Sequence, residues 1–156
     1  LTGRRDLYDS LIPPMQSAIE EIIANARAQE APSVLLLRAY STGVKAKGAD
    51  NLAGVMLRDL GCVNIADRQN SLLEELTLEA IVAEDPDFVL ISVMGGDEEA
   101  ALAVVEDTLG QNPAWQGLRA VQAGHVYVLD RELFHYKPNA RWAESYACLY
   151  ELLFAA

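Results

Sequence analysis

Residues 76–94 read LTLEAIVAEDPDFVLISVM, and the rest of the chain is arranged around them. The segment 78–84 has the spacing of a short helix, Asp85-Pro86-Asp87 is a turn, and 88–93 is an apolar run rich in β-branched residues and too short for a buried helix. That run is a strand. Because it is apolar at every position rather than at alternate ones, both of its faces are covered, which calls for a parallel sheet with helices on each side. At its carboxyl end, Ser92-Val93-Met94-Gly95-Gly96-Asp97 opens into a glycine-containing loop and then a helix. In open α/β sheets ligands bind at that edge.

Upstream, residues 1–12 are polar and mixed. Pro13-Pro14 sets a helix start, since proline is tolerated in the first turn, and Met15, Ile19, Ile22, Ile23 and Ala26 then recur at helical spacing over 14–29. SVLLL, 33–37, is the first buried strand, and 38–50 reads as a long loop carrying Gly43 and Gly48. A helix over about 51–60 ends at Gly61, residues 62–66 suit a short strand, and Ser71 to Glu74 has capping-box spacing. Downstream, a helix over 97–109 carries Ala101, Val104, Val105 and Thr108 on one face and stops at Gly110. Residues 112–122 are irregular or short-helical, and Gly124 introduces a last strand, HVYVL, over 125–129. A second long loop spans 130–138, and Asn139 caps a final helix with a stripe of Trp142, Tyr146, Leu149 and Leu153. The pattern is a small doubly wound α/β domain: a mainly parallel four-stranded sheet with helices on both faces, preceded by one leading helix.

The 156 residues suit one such domain, able to bury about 70% of its unfolded surface. A net charge of -11 argues against nucleic acid or an anionic membrane surface as the main partner. It favours solubility and a basic protein partner. No apolar run approaches the roughly 18 residues of a membrane span, and the opening residues do not form a signal peptide, so the chain is either cytoplasmic or separated from its targeting segment. Cys62 and Cys148 read as buried thiols rather than a disulfide framework or a metal site, since neither has a second ligand at the required spacing.

Catalytic motifs are mostly absent: there is no GxSxG, HExxH, GxxxxGK[ST] or CxxC. Asp85 and Asp87 read as structural punctuation before a strand, and His125 as a solvated or edge histidine. The basic residues are more informative, because Arg38, Lys45 and Lys47 follow the first strand and Arg131, Lys137 and Arg141 follow the last. Both loops leave the carboxyl edge of a parallel sheet, where Tyr40, Met94, Phe134, His135 and Tyr136 add an aromatic rim suited to a large planar or anionic ligand. The alternative is that long loops collect polar residues without a ligand. Glu79 likewise has a local reason, a helix dipole behind a Thr77 cap, and a functional one, docking on a partner's arginine.

Taken in order, LLEELTLEAIVAEDPDFVLIS, NPAWQGLRAVQAGHVYVLD and KPNARWAESYACLYELLF resemble the C-terminal lobe of the helical-hinge (class III) substrate-binding proteins of ABC importers for ferric siderophores, haem and cobalamin. The stretch 60–66 departs from the family's usual double glycine before Asn-Ile, with Cys62 at the second position. The resemblance implies a ligand held between two lobes without chemistry, so the chain is not an enzyme and has no catalytic residue, intrinsic cofactor or metal site of its own. Residues 1–31 would end the interdomain linker helix, its apolar face partly exposed, and 32–156 would form the lobe, with the N-terminal lobe absent. The implied ligand is an iron chelate, a ferric siderophore in first place and haem or cobalamin as alternatives. The implied ligand-binding residues are Arg38, Tyr40, Ser41, Lys45, Met94, Gly95, Phe134, His135, Tyr136 and Arg141. Glu79 would dock on an ABC permease in the membrane. The resemblance also implies an extracytoplasmic setting, as a periplasmic or cell-surface lipoprotein. The competing class, a nucleotide- or cofactor-binding enzyme domain, needs a glycine-rich turn directly after the first strand, where residues 37–43 supply one glycine.

Overall fold

The computed structural model describes residues 2–135 and 140–155. In chain order the elements are α1 (Thr2–Arg27), β1 (Ser33–Tyr40), β2 (Gly43–Ala46), α2 (Leu52–Asp59), β3 (Val63–Asn64), α3 (Ile65–Arg68), α4 (Asn70–Glu74), α5 (Leu78–Glu84) and β4 (Phe88–Val93). There follow α6 (Glu98–Val105) with a π turn at Glu106–Gly110, α7 (Pro113–Gln116), α8 (Arg119–Gln122), β5 (Val126–Val128), α9 (Arg131–Phe134) and α10 (Trp142–Phe154). They build one open sheet in the order β2-β1-β4-β5, with β3 beside the start of β1. β1, β3, β4 and β5 run parallel and β2 is antiparallel.

The central strand behaves as its composition demands, with all six residues of β4 buried. Alternate side chains feed two separate cores. Leu35, Leu37, Ala39, Val89, Ile91 and Val93 pack under Ile65, Leu72, Ile81, Ala101, Leu109 and Trp115. Val34, Leu36, Phe88 and Leu90 face Ala26, Met56, Leu57, Leu133, Tyr146 and Leu149 on the other side. The sheet is thus a doubly wound α/β layer, as its pattern implies.

Five local expectations are corrected. The sheet has five strands rather than four: residues 38–46 are not a loop but the end of β1, a two-residue turn at Ser41-Thr42 and β2. The segment alternates Arg38, Tyr40 and Lys45 against Ala39, Val44 and Ala46, which is strand periodicity without a strong turn dipeptide to mark it. The strand expected over 62–66 shrinks to Val63–Asn64, because the Asn64 side chain accepts from the Ala66 N–H and starts α3. Ser71 lies inside α4 rather than capping it. α1 starts at Thr2 and runs through Pro13 and Pro14. Proline removes a donor but holds a helical φ, so the helix continues with two fewer backbone bonds. In the helix after β4, Thr108 is exposed and Leu109 is buried instead, since the π turn shifts the register by one residue. Asn139, expected to cap α10, lies outside the described residues, and Trp142 at the head of the expected stripe is 39% exposed.

Candidate functional site at the carboxyl edge

Strand register decides which residues meet at the carboxyl edge. Arg38 lies opposite Lys45 on β2 and opposite Ser92 on β4, while Tyr40 lies opposite Gly43. Arg38, Tyr40 and Ser92 share the parity of Leu36 and Leu90, so they project on the α9 and α10 side of the sheet. The Met94 N–H donates to the Ala39 carbonyl and carries the pairing one residue past β4, after which Gly95 turns the chain with φ 95°. That left-handed conformation favours glycine over residues with a Cβ. Arg38, Tyr40, Ser41, Lys45, Met94 and Gly95 are therefore brought to one edge.

On the far side of β4, Asp130 caps α9, its carboxylate accepting from the N–H groups of Glu132 (2.7 Å) and Leu133 (3.3 Å). That cap fixes Arg131 at the first helical position, and its Nη2 donates to the Gly95 carbonyl. Arg131 is one of the cations that the sequence places on this rim, though the ligand-binding set implied by the resemblance omits it. Its local signal is an aspartate at a helix start immediately before an arginine, after a strand that ends at the carboxyl edge. Arg38 and Arg131 share one property. The Nε of each is buried and without a hydrogen-bond partner among the described residues.

Other expected residues go elsewhere. Phe134 is buried in the α10-side core, because the segment after β5 coils into α9 and turns that ring inward. It is not an aromatic face for a ligand. Arg141 is tied up by Glu144 at 2.8 Å and Glu132 at 3.1 Å, and its hydrogen bonds with Glu144 hold its pKa above the ordinary value. Lys47 pairs with Asp50 at 3.6 Å. His135 is half-buried and engaged in an interaction, and Tyr136 lies outside the described residues. Glu79 is exposed in the first turn of α5, where Thr77 occupies the cap position without a capping side-chain bond.

At the amino edge, Asp85 and Asp87 form a structural clamp. Asp85, at φ 41°, accepts from the Arg119 backbone N–H at 2.9 Å and from its Nε at 2.8 Å. Asp87 accepts from the Ser33 N–H and Oγ and pairs with Arg119 Nη1 at 3.0 Å. Burial pushes the Asp87 carboxyl up, but the two Ser33 bonds and the Arg119 charge outweigh it and hold the pKa below the usual range. His125 stands at the edge of the sheet, just before β5, rather than free in solvent: its ring stacks on Phe88 at 4.5 Å and its Nδ1 lies 3.2 Å from the Asp87 carbonyl. A depression of about 420 Å³ lies here, lined by Glu30, Pro32, Phe88, Arg119 and His125. Another, of about 460 Å³, lies along the exposed Leu7, Tyr8 and Leu11 of α1. The first includes no carboxyl-edge residue, and the second touches that edge at Ala140.

A glycine-rich phosphate turn has no place after β1, because that segment is a strand continuing into a hairpin. Among the described residues no group of three His, Cys, Asp or Glu side chains is arranged to hold a metal ion, and no helix is long and apolar enough to cross a membrane. The family model described as "Periplasmic binding protein" matches residues 1–133.

The chain belongs to the periplasmic binding protein family.

A curated relative, the Fe(3+)-citrate-binding protein YfmC of Bacillus subtilis, is 26% identical over 117 residues, covering 75% of this chain and 35% of that protein. Among solved structures, a periplasmic heme binding protein from Pseudomonas aeruginosa is 25% identical with a TM-score of 0.70, covering 99% of this chain and 54% of that one. The triscatecholate siderophore binding protein FeuA of Bacillus subtilis, complexed with ferri-bacillibactin, shares the fold at TM-score 0.66 and 21% identity, covering 97% and 53%. The chain thus spans about half the length of these solved relatives, and about a third of YfmC.

Proposed function

We propose that this chain is the C-terminal lobe of a two-lobed substrate-binding protein serving an ABC importer of iron complexes. On this reading α1 is the end of the interdomain helix, residues 32–156 are the lobe, and the ligand lies between the carboxyl edge and an N-terminal lobe contributed by further chain. The observation that carries it is the near-complete coverage of this chain against about half of each solved relative. No bond is made or broken in the ligand, and the work of the lobe is recognition and closure.

Relatives named for ferric citrate, heme and ferri-bacillibactin support an iron complex as the ligand class. Among these we favour an anionic ferric siderophore over haem or a corrinoid. Arg38 and Lys45 supply charge at the edge, whereas the inward turn of Phe134 removes one planar face that haem would use. Glu79 is the docking residue for the permease, and the setting is extracytoplasmic. An exposed ion pair there contributes under about 1 kcal/mol, so its role is orientation rather than affinity. In the two-lobed protein, Glu79→Ala should leave ligand affinity unchanged and reduce uptake; weakened ligand binding with normal uptake would remove the assignment.

The test of the whole reading is an amide NMR titration of this chain with a ferric siderophore, haem and cobalamin in turn. Shifts confined to residues 38–47, 94–97 and 131–141 are expected for one of them. Shifts centred on the amino edge, or an equal response to a nucleotide, would overturn it.

A further inference from the structure

With 23 acidic residues against 12 basic ones, a half-buried cation left without a carboxylate is an exception that needs a cause. Lys47, Arg68, Arg119 and Arg141 each pair with an acidic side chain, and Arg27 donates to the Asp59 carbonyl. Arg4, Arg5 and Arg58 have no such partner among the described residues, but they stand exposed on helix surfaces where water serves them. Arg38 and Arg131 differ from both groups. Each is only partly exposed, each keeps a buried Nε without an acceptor, and neither meets a carboxylate among the described residues. They flank the end of β4 from opposite sides, Arg38 in register with Ser92 and Arg131 bonded to Gly95. Lys45, exposed and without an acidic partner among the described residues, stands beside Arg38 across the hairpin.

A buried guanidinium donor without a partner is costly, and an acidic chain has ample means to supply one. From this we propose that Arg131, acting with Arg38 and Lys45, is a specificity-determining residue that selects an iron chelate bearing free carboxylates over one that lacks them. Arg131 is held in place by the Asp130 cap beneath α9, while its outer nitrogen rests on a neutral carbonyl. Rotation about its outer torsions exchanges that carbonyl for a ligand carboxylate. Charge-assisted bonds are about twice as strong as neutral ones, and the guanidinium fork matches a carboxylate in two-pronged geometry. A point charge in the same place would attract the anion without fixing its orientation.

The inference rests on the binding-lobe reading, and the test separates the two. This chain and its Arg131→Gln, Arg131→Lys and Arg58→Gln variants are titrated with ferric citrate and with ferrioxamine, a hydroxamate chelate without free carboxylates, reading affinity by calorimetry and position by amide shifts. Arg131→Gln should weaken ferric citrate by about tenfold or more and flatten its salt dependence. Ferrioxamine should change by less than about twofold. Arg131→Lys should recover the salt dependence but only part of the affinity, and Arg58→Gln should resemble the parent chain. Ferric citrate bound at the carboxyl edge with equal affinity by parent and Arg131→Gln would overturn this inference and leave the lobe reading standing. If neither chelate moves residues 38–47 and 94–97, this inference falls, and the lobe reading falls with it only if haem and cobalamin leave those residues unmoved as well.

Discussion

Replacing Gly54 with alanine sets two effects of opposite sign against each other, and the structure says which wins. Gly54 lies in the first half of α2, where alanine is intrinsically better than glycine by about 1 kcal/mol. On propensity alone the variant would be more stable. Yet α2 passes so close to the end of the β2 segment that an added Cβ would overlap the Gly48 carbonyl oxygen, stand 2.6 Å from its carbon and 3.1 Å from the Ala49 nitrogen. These are backbone atoms rather than the far end of a flexible side chain, so relief requires moving an element. A Cβ built at Gly48 would likewise overlap the Asp67 carboxylate and stand 3.6 Å from Leu73, so Gly48 has little room to give. Forcing an extra methyl into such a contact costs about 1–3 kcal/mol in side-chain cores, and a rigid backbone neighbour puts this case at or above the upper end. The net expectation is a loss of about 2 kcal/mol, or a fall in Tm of about 4–8 °C for a chain of this length. Urea and thermal unfolding followed by circular dichroism measure it, with Gly96→Ala as control, since nothing lies within 4 Å of a Cβ built there. A Gly54→Ala variant as stable as the parent would refute the packing argument and show that α2 and the β2 segment slide apart freely.

The clamp at the amino edge predicts a pH effect of defined sign. The Asp87 pKa is lowered below its ordinary 3.8, so its contribution is present above about pH 4 and is lost as pH falls through the folded value. Asp87→Asn should cost about 1–2 kcal/mol at pH 7, discounted for partial exposure, and should flatten the acid limb of the stability–pH curve. An unchanged acid limb in urea titrations at successive pH values would count against the clamp. Burial pushes the Cys62 thiol up to about 12 and raises the Cys148 thiol too, but Cys62 is buried whereas Cys148 is half-buried and reachable. At pH 8 a thiol reagent should therefore label Cys148 first, and Cys62 only on unfolding; early labelling of Cys62 by mass spectrometry would show that the strand-start region opens locally.

The α/β architecture was legible because it depends on local pattern. β4 is apolar at six successive positions and the α5 helix before it keeps its boundaries, 78–84, so the buried parallel strand follows from composition and period. Gly61 and Gly124 both take left-handed φ at the turns where glycine was read as a stop or a start. Residues 38–46 were missed because the hairpin turn is Ser41-Thr42, which carries no strong turn signature, while its polar positions resemble a loop.

The sequence by itself determined the alternation of strands and helices, the doubly wound class and which loops share the carboxyl edge, since each rests on side-chain periodicity within a few neighbours. Tertiary structure alone decided which side chains at that edge are available. Arg141 is spent on Glu132 and Glu144, Phe134 turns into the core, and Arg131 reaches Gly95 across 36 residues of sequence. Burial and charge pairing are set by neighbours that only the folded chain brings together, so composition counts the cations while the fold chooses those left to meet a ligand.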